Sequence, residues 1–140
     1  MNKVWIAMVL SSVASLGHAT QQAFLIQNSG WMEPFYQDSN SQFKPLINGV
    51  IQTVAKPDDK IVVSVFNQSN ALAKSPKIIY QGAGAKPMLA DLQAQQIAYK
   101  NDKAYADTDF TEAVVSTITE PFAKQSGIIW IFTNNKNSPN

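Results

Sequence analysis

No cysteine occurs in the 140 residues, so thiol catalysis, thiolate metal sites and disulfide staples are excluded and the fold must hold by its core. A single histidine is present, and it is His18, inside an N-terminal stretch that reads as a secretory signal. With that stretch removed no imidazole remains, which excludes a Ser-His-Asp triad and histidine-ligated zinc. Arginine is missing as well. All eleven basic residues are lysine, so no guanidinium fork is available to clamp phosphate or carboxylate. Charged residues make up only 15% of the chain, and without Lys3 the lysines and the acidic residues balance. That balance points to neither nucleic acid nor an anionic membrane as a partner.

The N-terminus has the three parts of a signal peptide: Lys3 as positive start, Val4 to Leu16 as apolar stretch, and Gly17-His18-Ala19 as small-residue cleavage site. The stretch is about 13 residues where a bilayer span needs about 20, so cleavage after Ala19 is expected in place of an anchor. The expected organisation is a signal peptide over 1–19, one α/β domain over 20–135, and a polar tail or truncation point over 136–140. Periplasm or secretion is the expected location, since no lipobox cysteine follows the signal.

Strand and helix signals alternate through the rest. Ala23 to Gln27 is a short apolar run ending in the turn-prone Asn28-Ser29-Gly30, which predicts a buried first strand. Phe43, Leu46, Ile47, Val50, Ile51 and Val54 share one helical face, with Ser41 placed as N-cap and Pro45 in the first turn. Ile61 to Phe66 is nearly continuously apolar and β-branched, as strands buried on both faces are. Asp58-Asp59-Lys60 before it reads as a solvated turn. Lys77 to Gln81 predicts a shorter strand, Pro87 to Tyr99 a helix, Asp109 to Phe122 another, and Gly127 to Thr133 a last strand. Trp130, inside that strand, reads as core.

This alternation predicts an open, doubly wound, mostly parallel α/β sheet with four strands, flanked by helices. In such sheets ligands sit at the carboxyl ends of strands where the winding reverses. If the strands near Ile26 and Ile131 are neighbours there, Ser29 and Asn134 face one crevice. A helix beginning at Thr108 would aim its amides into the same place and favour an anion.

Three segments carry a more specific signal: Phe24 to Met32, Ala106 to Val114, and Ile128 to Asn135. In this order they resemble the three metal-site loops of the von Willebrand factor A-type (vWA) family. The resemblance implies a Rossmann-like fold and a non-enzymatic role in which the loops grip a protein partner through a divalent cation, Mg²⁺ or Mn²⁺. The family's Asp-x-Ser-x-Ser aligns with Gln27, Asn28, Ser29, Gly30 and Trp31, its threonine with Thr108, and its Thr-Asp-Gly with Thr133, Asn134 and Asn135. Ser29 and Thr108 thus keep metal-ligand positions, while Gln27 and Asn134 put amides where the family has carboxylates. A degenerate metal site is expected, with Gln27, Ser29, Trp31, Thr108 and Asn134 as partner-binding residues. Asp107 and Asp109 flank Thr108 but align with no ligand position.

Other readings stand beside this one. Ser29 and Gly30 are also ordinary turn residues, Thr108 an ordinary helix N-cap, and Trp31 either a plug over the site or an exposed contact aromatic. A doubly wound domain holding a small molecule or anion is the rival class. Ser41 and Lys44 have the Ser-x-x-Lys spacing of penicillin-recognising hydrolases, without the motifs that should follow. Gln81 to Lys86 lacks the ending of a phosphate-cradling loop and reads as a flexible connection. The resemblance covers about the first two-thirds of the family fold, which leaves the last strand at an open edge. Another chain, or further C-terminal residues, is expected to complete the sheet.

Overall fold

A computed structural model of the chain describes residues 19–136 and 138; the expected signal segment up to residue 18 lies outside the described residues, as do 137, 139 and 140 of the tail. Nine elements follow in the order β1 (Gln21–Gln27), a 3-10 turn (Gly30–Met32), α1 (Glu33–Gln37), α2 (Phe43–Val54), β2 (Lys60–Phe66), β3 (Lys77–Ala83), α3 (Leu89–Gln93), α4 (Phe110–Thr119) and β4 (Ile128–Phe132). The strands form one sheet in the order β3-β2-β1-β4. β1 pairs in parallel with both β2 and β4, so the winding reverses on either side of it as the alternation predicts.

The apolar runs become strands for the expected reason. Residues 22–27 of β1 and 61–66 of β2 are buried along their length, the condition of parallel strands covered on both faces. Phe24, Ile26, Ile61 and Val63 face α2 and α3, meeting Ile47, Ile51, Met88 and Leu92. Leu25 and Phe66 face the other way and meet Ala113 of α4. Ser41 does not occupy the N-cap position of α2, which falls to Gln42, but its Oγ accepts from the Phe43 amide one step earlier.

Four expectations are corrected. β3 extends to Ala83, past its expected end at Gln81; it runs antiparallel to β2, but with the other two pairings parallel the sheet is mostly parallel as expected. The segment 87–99 is not one helix: only Leu89–Gln93 is helical. Beyond it the Ala98 amide donates to the Asn28 carbonyl and the Ala106 amide to the Ala98 carbonyl, so the backbone is used to tie the loop after β1. Trp130 is half-buried, stacked on Phe24 at 6.2 Å with its indole nitrogen donating to Gln22 Oε1. β4 is an edge strand among the described residues, and Trp130 packs against the core without being fully covered.

The fourth correction is Asp59, which is 3% exposed in what reads as a solvated turn. Its Oδ2 accepts from the Lys56 amide and Gln22 Nε2, both at 2.8 Å, and its Oδ1 from the Thr20 amide at 3.1 Å. Its own carbonyl accepts from Gly84, whose φ of 68° and close approach to the Pro57 carbonyl leave no room for a side chain. Burial alone would push the Asp59 carboxyl up. The donors from Lys56, Gln22 and Thr20 outweigh it and hold the group below the usual carboxylate range. A lowered value contributes stability above the ordinary carboxyl range that is lost as pH falls through the lowered value. Acid unfolding followed by circular dichroism should therefore be shallower in Asp59→Asn than in the native chain, with a lower stability at neutral pH.

Candidate functional site

The crevice lies where β1 and β4 end side by side and α4 begins. Gln27, the last residue of β1, is wholly buried. Its Nε2 donates to Ser29 Oγ at 2.7 Å and to Thr108 Oγ1 at 3.0 Å, and its Oε1 accepts from the Thr133 hydroxyl. One carboxamide therefore joins all three loops. The Ser29 and Thr108 hydroxyls also share a hydrogen bond at 2.5 Å. The Lys136 carbonyl lies 3.4 Å from Nε2, a place that suits the nitrogen end of the amide better than its oxygen.

Local chemistry holds each loop in place. The Gly30 amide donates to the Ala106 carbonyl, and a Cβ at Gly30 would lie 2.6 Å from that of Tyr105, so the close approach of these loops requires glycine. Asn28 accepts from Asn67 Nδ2 and donates to the Gln96 carbonyl, linking the ends of β1 and β2 to the irregular segment after α3. Tyr36 donates its hydroxyl to the Gln27 carbonyl, and burial pushes its phenol up, so it stays a donor. Tyr105 donates to Glu33 across the rim; that bond, with desolvation and Tyr99 adding to it, pushes its phenol up to about 12.

The start of α4 differs from expectation. Asp109, not Thr108, is the N-cap, accepting from the Glu112 amide at 2.8 Å. Thr108 is thereby released to turn its hydroxyl into the crevice. The Glu112 carboxylate accepts from the Ser69 amide, so with Asp109 this helix end already carries two acidic side chains, an unfavourable setting for a further anion. Asp107 is engaged by Lys100 at 2.7 Å.

All five expected partner-binding residues are brought together, in two tiers. Gln27, Ser29 and Thr108 are buried and bonded to one another, forming the floor. Trp31 is 47% exposed on the rim. Its carbonyl accepts from Asn134 Nδ2 at 2.7 Å, and the Lys136 ammonium stands 5.2 Å from its ring centroid. Ser138 Oγ accepts from the Thr108 amide and the Lys136 carbonyl faces Gln27, so these two residues lie over the floor. Thr133, Tyr36, Tyr105 and Lys136 also take part. Thr133 stood in the third motif without a role, whereas nothing local in the sequence marks the two tyrosines.

A hard divalent cation takes oxygen lone pairs and, in practice, at least one carboxylate. Here amide protons are aimed at the two hydroxyl oxygens from the strand end, and among the described residues no carboxylate bonds to either hydroxyl. Among the described residues no group of three or more His, Cys, Asp or Glu comes together. As bonded here, Ser29 and Thr108 offer neutral hydroxyl oxygens that already accept from the Gln27 amide.

The Ser-x-x-Lys pair is likewise otherwise engaged. Lys44 donates to the Gln95 carbonyl at 2.8 Å and lies over the Tyr36 ring, where burial lowers its ammonium pKa. Ser41 Oγ serves the Phe43 amide.

No protein-family profile and no curated protein matches this chain. Among solved structures it is similar to the crystal structure of the ArnB paralog VWA2 from Sulfolobus acidocaldarius, at a TM-score of 0.54 and 14% identity. The alignment covers 87% of this chain and 29% of that one. The likeness shows the fold, which is vWA-like and of the α/β Rossmann type. No helix among the described residues is long and apolar enough to cross a membrane.

Replacing Gln27 by the similarly shaped Met leaves the buried Ser29 and Thr108 hydroxyls and the half-buried Thr133 hydroxyl each short of one partner, a loss of about 1–3 kcal/mol. Urea titration of Gln27→Met should show a lower midpoint with an unchanged slope.

Proposed function

We propose that this chain is an exported, non-enzymatic, protein-binding domain of the periplasm or the space beyond it, which engages its partner at the rim of the crevice without a bound cation. A vWA-like fold suggests a protein-interaction role in general, and the observation that carries the specific reading is the rim itself. Trp31 stands about half exposed beside Lys136 and Asn134, over a floor that contains no titratable group. An aromatic ring beside a cation is a favourable anchor for a protein surface. Trp31 and Asn134 make the contacts, while Gln27, Ser29 and Thr108 hold the three loops in register beneath them.

The absence of chemistry at the floor supports a binding role. An amide and three hydroxyls offer hydrogen bonds but no base, acid or activated nucleophile near neutral pH. Partner recognition by such a site rests on shape and neutral hydrogen bonds. Among the described residues β4 is an edge strand, and its outer edge is a second place of contact, where a partner chain would add a strand.

A photo-crosslinking residue placed at Trp31, in the protein expressed in its host, tests the reading. A discrete protein adduct is expected from position 31, and none from the same probe at Gln81, exposed on the far edge of the sheet. Equal labelling from both positions, or none from either, would contradict the rim as the contact surface.

A further inference from the structure

Asp59 is a buried carboxylate with three N–H donors, and the Lys56 ammonium acts on it from a distance without forming an ion pair. Neither ion pair among the described residues, Lys86 with Asp91 or Lys100 with Asp107, involves it. One of its three donors is the backbone nitrogen of Thr20, 3.1 Å from Oδ1. Thr20 is the residue that follows the cleavage site expected after Ala19. It is fixed there independently, because its carbonyl accepts from the Lys60 amide at 3.0 Å, extending the ladder between β1 and β2. Ala19 is exposed and Thr20 half-buried, so the scissile bond lies at the boundary between solvent and fold.

We propose that the fold is built to receive a new amino terminus at Thr20, whose α-ammonium forms an ion pair with the buried Asp59 carboxylate. This rests on the export reading. A signal-processing peptidase adds water across the Ala19–Thr20 bond. Ala19 departs with the carboxylate and Thr20 keeps the amine, which takes up a proton because a free α-amino group has a pKa of about 7.7–8.0. A neutral N–H donor is thereby exchanged for a charged one at the same oxygen, and charge-assisted bonds are the stronger kind. The other two donors, Gln22 Nε2 and the Lys56 amide, keep Oδ2 and hold the carboxylate in position. Maturation thus tightens the start of β1, the strand on which the crevice is built. An uncleaved chain has only the neutral bond.

The groups packed around the pair leave it the dominant charge interaction. β1 brings Gln21 and Gln22, the last turn of α2 brings the Val54 carbonyl, the residue after β3 is Gly84, and Lys56, Asp58 and Lys60 belong to the same loop. The three loop charges are present whether or not the chain is cut.

The test compares the chain released with Thr20 as its free terminus against the same chain retaining His18-Ala19. At pH 6.5 the cut form should melt higher by about 4 °C. Its amine pKa is raised in the folded state, so the advantage is full below the unfolded value and is lost as pH rises through the folded one. It should therefore vanish by about pH 10, and should be missing at pH 6.5 in Asp59→Asn. Equal melting at pH 6.5, or a difference that survives in Asp59→Asn, would overturn the ion pair while leaving the export reading intact. The terminal sequence of the protein recovered from its host separates the two: a start at Thr20 supports export and cleavage here. A start at Met1 sinks the export reading, and any start other than Thr20 removes the ammonium from reach and overturns the proposal.

Discussion

The crevice depends on one carboxamide. With no disulfide and no carboxylate at the floor, the loops after β1, before α4 and after β4 are held together by Gln27, which donates to Ser29 and Thr108 and accepts from Thr133. A neutral amide suits this place physically. Burying an ion there would need a counter-charge to offset its desolvation, whereas an amide needs only hydrogen-bond partners. All of them are present, and no buried side-chain polar atom among the described residues lacks one. A fully satisfied buried network fixes a single geometry for the rim that it supports.

The network is possible because of the sheet order. Only a strand with parallel neighbours on both sides, buried from Gln22 to Gln27, ends at a point that two other loops reach from opposite directions. The same strand is secured at its other end by Asp59, through Gln22 and Thr20. β1 is thus tied by an uncharged network at the crevice end and by a charged one at the opposite end. That arrangement places pH sensitivity away from the crevice.

Much of this was readable from local pattern. The apolar runs of β1, β2 and β4, the 3.6-residue period of α2 and the reversal beside β1 depend on residue order alone, and all appear in the structure. The convergence of Gln27, Ser29, Trp31, Thr108 and Asn134 was also legible, through the order of the three motifs. What was hidden is long-range. Asp59 looks solvated because Asp and Lys surround it in sequence, yet its partners at Thr20 and Gln22 come from another strand. Residues 94–99 read as the end of the helix expected from Pro87, yet the Ala98 amide is drawn to the Asn28 carbonyl across a loop. α1 has too few residues for a period to show. The division of site residues into a buried floor and an exposed rim could not be read from motifs, since Trp31 and Ser29 are two positions apart.

The most direct test of a floor closed by an amide is a calorimetric titration of the native chain with Mn²⁺, alongside Thr108→Val. The account predicts no saturable heat from the native chain at millimolar metal. A one-site isotherm that disappears in Thr108→Val would contradict it, because the hydroxyls would then be serving a cation in place of Gln27.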